Sequence, residues 1–241
     1  MRAEERSYNE LRPVSIQTQV NCWAEGSAQI SMGKTKVLCT ASVSETTPQW
    51  LNKPGHGWLT AEYAMLPRSG DFRVNRERAF NSGRSQEISR LIGRSLRAGV
   101  DLSKLGERQI YIDCDVLQAD GGTRTASITG GFIALALALK NLKDQYIIKN
   151  IPLKNYVCAV SVGLNNSQLY VDLDSKEDKS CETDMNFVMN DQSNFIEIQG
   201  TAEKQSFTKD QMLEMMNLAH KAGLALIQKQ KELVGGFFPK S

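Results

Sequence analysis

Two stretches of the chain carry residue types that could do phosphate chemistry. The first is Gly121-Gly122-Thr123-Arg124, set just before a long apolar run. The first turn of a helix leaves backbone N–H groups unpaired and carries the positive end of the helix dipole, so an anion is favoured there. Two glycines let the backbone come close to such an anion, Thr123 adds a hydroxyl, and Arg124 adds a positive charge. The same string also serves as ordinary punctuation between a strand and a helix. The second stretch is acidic, with Asp178 and Asp184 separated by Lys-Ser-Cys-Glu-Thr, which reads as a bend between strands. Hard carboxylate oxygens facing one another across a bend suit Mg²⁺ or Mn²⁺, with water and substrate phosphates completing the shell. Solvated turn carboxylates are the plain alternative. An anion cradle and a metal site on one chain are the pair that phosphoryl chemistry needs.

Charge along the chain points the same way. Its 241 residues include 29 basic and 27 acidic side chains, a net +2 that by itself excludes a binder driven by bulk charge. Resolved along the sequence, the total splits. Between residues 68 and 97 stand eight arginines (68, 73, 76, 78, 84, 90, 94, 97), no lysine and three acids, whereas residues 172 to 191 hold seven acids against two lysines. A guanidinium grips phosphate through two parallel donors, so an all-arginine cluster favours a phosphate-rich ligand. Arg90, Arg94 and Arg97 fall at helical spacing and read as a solvated or oligomer-facing side rather than as ligand contacts. Arg68, Arg73 and Arg76 lie in a polar stretch between Leu66 and Gly83, interrupted by Pro67, Gly70, Asn75, Asn81 and Gly83. That reads as a long, exposed, mobile loop, as suited to a single-stranded polyanion as to solvent.

The elements that must position these residues follow from periodicity. Ala28–Met32 and Lys36–Val43 form a hairpin around Gly33-Lys34, and this Gly-Lys-Thr triplet lacks both the preceding glycine and the strand-to-helix junction of a P-loop. Ile88, Leu91, Ile92 and Leu96 recur at helical spacing. Gln109–Gln118 alternates as a strand, and Ile128–Leu142 is apolar nearly all round, a helix buried in the centre. Strands follow at about Tyr156–Leu164, Gln168–Leu173, Phe187–Met189 and Phe195–Gly200, then an amphipathic helix from about Lys209 to Leu233. The expectation is one α+β domain over residues 1–241, with mixed sheet at an edge. At 41% hydrophobic and 23% charged, the chain is neither disordered nor a disulfide-stapled miniature. Its five cysteines include no C-x-x-C pair and read as buried, inert thiols. No stretch reads as a signal peptide or as the roughly 18 apolar residues of a membrane helix, so a cytoplasmic protein with reduced cysteines and no membrane partner is expected.

Six runs are specific enough to carry a family resemblance: Ala24-Glu-Gly-Ser27, Thr35-Lys-Val-Leu-Cys-Thr-Ala-Ser42, Gly57-Trp-Leu-Thr-Ala-Glu-Tyr-Ala-Met-Leu-Pro-Arg68, Arg90-Leu-Ile-Gly-Arg-Ser-Leu-Arg97, Asp113-Cys-Asp-Val-Leu-Gln-Ala-Asp-Gly-Gly-Thr-Arg-Thr-Ala-Ser-Ile-Thr-Gly130 and Glu182-Thr-Asp-Met-Asn186. Together they resemble the bacterial ribonuclease PH family, over a span from Arg12-Pro13 to Gly200-Thr-Ala-Glu203. The resemblance implies a phosphorolytic 3′→5′ exoribonuclease that trims the 3′ tails of tRNA precursors. Inorganic phosphate replaces water as co-substrate and nucleoside diphosphates are released, in a reversible step that also gives the family the name tRNA nucleotidyltransferase. Its phosphate site carries over onto Arg84, Gly122, Thr123 and Arg124. The metal and catalytic pair carries over onto Asp178 and Asp184, and the RNA-contacting loop arginines onto Arg68, Arg73 and Arg76. The implied fold is that of the second domain of ribosomal protein S5, assembled as a hexamer, a ring of three dimers. Departures from the family pattern are Ser85 for threonine, Ser175 for tyrosine, and the loop around residues 71–81; they bear on RNA preference and loop docking more than on the chemistry. Two other classes stand beside this reading, a metal-dependent hydrolytic nuclease and a non-catalytic RNA-binding ring subunit. Retention of Arg84, Arg124, Asp178 and Asp184 together argues against the latter. Whether Asp178 or Asp184 donates a proton or only binds metal stays open at this level.

Overall fold

The computed structural model describes residue 2, residues 6–77 and residues 82–238. Arg78 and Asn81 lie outside the described residues. The first sheet holds β1 (Val14–Thr18), β2 (Gly26–Met32), β3 (Thr35–Ser44), β4 (Trp58–Met65) and β5 (Gln109–Gln118), in the order β1-β2-β3-β5-β4. All neighbours are antiparallel except β4 and β5, which run parallel from Trp58 opposite Gln109 to Met65 opposite Val116. A parallel pair needs a crossover, and α1 (Gly83–Ala98) supplies it, laying Ile88, Leu91, Ile92 and Leu96 inward as it packs on β4. The mixed edge expected from the sequence is therefore β4.

The second sheet holds β6 (Val157–Asn165), β7 (Gln168–Val171), β8 (Thr183–Asn190) and β9 (Phe195–Ala202), all antiparallel, in the order β7-β6-β8-β9. Between the two sheets runs α2 (Thr123–Asp144), touching β2, β3 and β5 on one side and β6 on the other. Contact on both sides explains its apolar circumference: Ile128, Phe132, Ile133, Leu135 and Leu139 are all buried, each contributing about 1.5–3 kcal/mol. Within β5, Ile110, Ile112, Cys114 and Val116 face this core while Asp113 and Asp115 face away. Toward the C-terminus, α4 (Lys209–Val234) starts at a Thr208–Gln211 capping box and closes over β6 and β8. One continuous hydrophobic core joins both sheets and these helices.

Several expectations need correction. By length and composition α2 would pass for a membrane span, so one stretch does reach that apolarity; its burial inside the fold is the reason. Cys39, Cys114, Cys158 and Cys181 are buried, but Cys22 is exposed; all five are free. Arg97 is not a solvated helix-face residue, since it donates to Leu59 O at 2.9 Å and lies 4.5 Å over the Trp58 ring. Arg94 pairs with Glu197 at 2.7 Å. The sequence reading passed over β1, β4 and the six-residue α3 (Ser175–Ser180). In β4 the inward positions are Leu59, Ala61 and Tyr63, an alternation too weak in apolar contrast to announce a strand.

Candidate active site

The two chemical stretches meet across one cleft of about 1130 Å³. Arg84, Gly121, Gly122, Thr123 and Arg124 line one wall, and Asp178, Asp184 and Glu203 the other. On the first wall, α2 begins without a side-chain cap: Gly122 sits at its N-cap in the left-handed region (φ 64°), after Gly121 at φ 76°. A Cβ on Gly121 would stand 2.5 Å from Leu173 O, and one on Gly122 would stand 2.8 Å from Arg12 Nη2. Glycine is required here on both counts, and the uncapped N–H groups remain available to a ligand.

Thr123 is buried and its hydroxyl lies 2.8 Å from that of Tyr63. Burial pushes the Tyr63 phenol up, against the Thr123 hydrogen bond and the charges of Arg84 and Arg124, so the phenol keeps its proton. With that phenol as donor, the Thr123 proton is left for a ligand. Arg124 reaches Gln199 Oε1 at 3.2 Å and Glu87 at 3.5 Å. Arg84 projects from the first turn of α1, where the Ser82 hydroxyl accepts from Ser85 N at 3.1 Å and caps the helix.

The opposite wall differs in detail from the sequence expectation. Asp178 and Asp184 do not flank a bend between strands; Asp178 is on α3 and Asp184 is in β8, between Gly163 of β6 and Thr201 of β9. Asp174 caps α3, accepting from Lys176 N and Glu177 N, while Glu177 accepts from Asp174 N at 3.0 Å. Burial raises the Asp178 carboxyl, opposed by Arg84 and Arg124 across the cleft. Asp184 is raised by burial and then by Asp178, with Glu203 adding to both. Carboxylates that resist ionisation beside one another gain from a cation between them. Among the described residues no three His, Cys, Asp or Glu side chains gather into a metal cluster. The donor set fits a hard ion held by the Asp178 and Asp184 carboxylates, with its other positions on water and substrate oxygens, the usual habit of Mg²⁺.

The loop arginines stand elsewhere. Arg68, Arg73 and Arg76 are exposed and none lines this cleft. Arg76 borders a separate hollow of about 610 Å³ with Glu62, Asp113 and Asp115. From the same loop Gly70, Asp71 and Phe72 do reach the cleft. Sequence reasoning did not single out Tyr63 and Glu203 as site residues, although Tyr63 falls inside one of the runs that carried the resemblance and Glu203 closes the span they cover. Nor did it find Arg12 and Thr35, which hold the glycine turn from behind.

Comparison with known proteins places the whole chain. Models of the 3′ exoribonuclease family match at residues 10–140 (domain 1) and 155–222 (domain 2). The Ribonuclease PH of Bdellovibrio bacteriovorus is 55% identical over 238 residues, covering 99% of this chain and 98% of that one. Among solved structures, the Archaeoglobus fulgidus exosome with RNA bound to the active site aligns with a TM-score of 0.81 at 21% identity, over 95% of this chain and 92% of that chain. Rice (Oryza sativa) Rrp46 aligns with a TM-score of 0.76 at 17% identity, over 97% of this chain and 98% of that chain. These two distant likenesses show the shared fold.

Proposed function

The chain belongs to the 3′ exoribonuclease family, and from that premise we propose that the cleft between α1, α2, α3 and β8 is its site of phosphorolysis. The protein is a phosphate-dependent 3′→5′ exoribonuclease, a tRNA nucleotidyltransferase that trims the 3′ tails of tRNA precursors. One observation carries the assignment of the site: an uncapped helix N-terminus with two arginines shares a single cleft with a pair of partly buried carboxylates.

Inorganic phosphate seats on the N–H groups at Gly122 and Thr123, between Arg84 and Arg124. The terminal phosphodiester of the RNA lies against it on the side of Asp178 and Asp184. Both reactants are anions that repel in water, so holding them at near-attack distance in a site of fixed donors supplies much of the acceleration. Asp178 and Asp184 would hold Mg²⁺ or Mn²⁺, which would supply positive charge to the oxygens of the phosphodiester under attack. The raised pKa of these carboxyls also suits one of them to protonate the departing 3′-oxygen. Exposed Arg68, Arg73 and Arg76 meet RNA upstream of the cleft, as basic loops meet single strands. The working assembly is a six-membered ring of three dimers, in the cytoplasm.

The deciding experiment incubates a short 3′-extended RNA and Mg²⁺ with and without phosphate and identifies the nucleotide released. Nucleoside diphosphates, formed only when phosphate is present, are expected. Monophosphates formed without it would assign a hydrolytic nuclease, and intact RNA in both arms would assign a non-catalytic subunit.

A further inference from the structure

Behind the glycine turn a buried polar cluster, outside the lining of the cleft, joins its two walls. Arg12 is 4% exposed, and its Nε and Nη2 donate to the Asp172 carboxylate at 3.0 and 2.7 Å. The same guanidinium donates to Asp120 O at 2.6 Å and to Gly121 O at 3.4 Å. Thr35 is fully buried; its hydroxyl donates to Gly121 O at 2.6 Å and accepts from Asp120 N at 2.9 Å. Asp172, itself fully buried, adopts φ 54° and leads directly into the segment that caps α3 and carries Asp178.

A buried ion pair is a poor device for stability alone, because apolar residues of similar volume do as well or better. Apolar residues could not, however, satisfy the carbonyl oxygens of Asp120 and Gly121. In a trans peptide the C=O of one residue and the N–H of the next point in opposite directions. Carbonyls held rearward therefore turn the N–H groups of Gly121 and Gly122 forward, into the cleft that both glycines line. We propose that Arg12, anchored on Asp172, and Thr35 are positioning residues for inorganic phosphate: they fix the turn with its N–H groups facing the cleft, and Arg12 ties it to the strut bearing Asp178. The proposal rests on the reading of that turn as the phosphate cradle.

The test measures phosphorolysis of a short RNA against inorganic phosphate, together with the rise in Tm that phosphate produces, for the wild type, Thr35→Val, Arg12→Lys and Arg124→Gln. Loss of hydrogen bonds that orient a charged ligand is expected to raise the phosphate KM about fivefold in Thr35→Val and about tenfold in Arg12→Lys. The phosphate-induced rise in Tm should shrink in both, with the KM for RNA near that of the wild type. A merely structural role would lower the active fraction, and with it kcat, while leaving the phosphate KM alone. If Arg12→Lys does not fold, the milder Thr35→Val decides. A wild-type phosphate KM in each folded variant of this pair, beside a raised KM in Arg124→Gln, overturns the positioning role. A wild-type phosphate KM in Arg124→Gln as well overturns the cradle reading itself.

Discussion

Asp184 illustrates how a single side chain can be a liability to the fold and, on the proposed mechanism, a requirement for the reaction. Its carboxyl is raised by burial and by Asp178, so its charged form costs stability at neutral pH. The stability lost this way is regained as the pH falls through the raised folded pKa, the reverse of a salt-bridged carboxylate. Asp184→Asn should therefore abolish turnover, leave RNA binding nearly intact, and raise Tm at pH 7.5 by about 1–3 °C, the scale on which sub-kilocalorie changes move a chain of this length. Calorimetry beside the phosphorolysis assay checks all three; retained phosphate-dependent activity would remove Asp184 from the site. On the proposed mechanism, activity of the wild type should also fail on acidification at a higher pH than ordinary aspartates would set, because protonating the carboxylate that would hold the cation releases it.

At the scale of elements, α3 is too short to persist unaided, since its six residues make fewer than two helical turns. What holds it is its capping box and the grip of two buried arginines on Glu177, with Arg2 Nε at 2.6 Å and Arg6 Nη2 at 3.1 Å. Burial works to raise the Glu177 carboxyl, but the hydrogen bonds from Arg2 and from Asp174 N outweigh it and the net shift is downward. A depressed carboxylate stabilises the fold above its unfolded pKa and loses that contribution as the pH falls through the folded one. Glu177→Gln should thus cost about 3 kcal/mol at pH 7, as for breaking a buried pair, and the deficit should narrow below about pH 4. Denaturant titrations at the two pH values test it, and a deficit independent of pH would contradict the ion-pair account. Strand β2 meets α2 with the same tightness: a Cβ on Gly26 would stand 2.4 Å from Ala138 N in that helix. Gly26→Ala should cost about 1–3 kcal/mol through overpacking, read as a lower midpoint at unchanged m-value.

At the scale of the molecule, the near-neutral net charge hides two opposed clusters, from which the cleft takes Arg84 on the basic side and Asp178 and Asp184 on the acidic side. RNA binding through the arginines predicts affinity that falls steeply with salt, with a log–log slope of about −0.7 per phosphate neutralised on a single strand. Arg68→Ala, Arg73→Ala and Arg76→Ala combined should flatten that slope while leaving the phosphate KM unchanged, because none of the three lines the cleft. Filter binding across a salt series measures it; an unchanged slope would take RNA contact away from the loop. Sedimentation of the purified protein tests the proposed ring, with a hexamer expected and a monomer at assay concentrations contradicting it.

The sequence by itself determined most of the elements and marked candidate residues for both halves of the proposed chemistry. Strand β5, the α1 face built on Ile88, Leu91, Ile92 and Leu96, and the apolar run of α2 are periodic patterns, and period is a local property. Gly122, Arg124, Asp178 and Asp184, which line the cleft, were likewise legible as candidates, because residue type and helix-start chemistry are written in a few adjacent positions. Tertiary structure alone decided that the two halves share one cleft, that Asp178 stands on a helix instead of a bend, and that Glu203 and Tyr63 join them. It alone paired Arg12 with Asp172 across 160 residues of chain. Such partnerships carry no periodic signature: they arise when α2 is buried between two sheets and its start is brought against the turn beside β7, a consequence of topology that no local window contains.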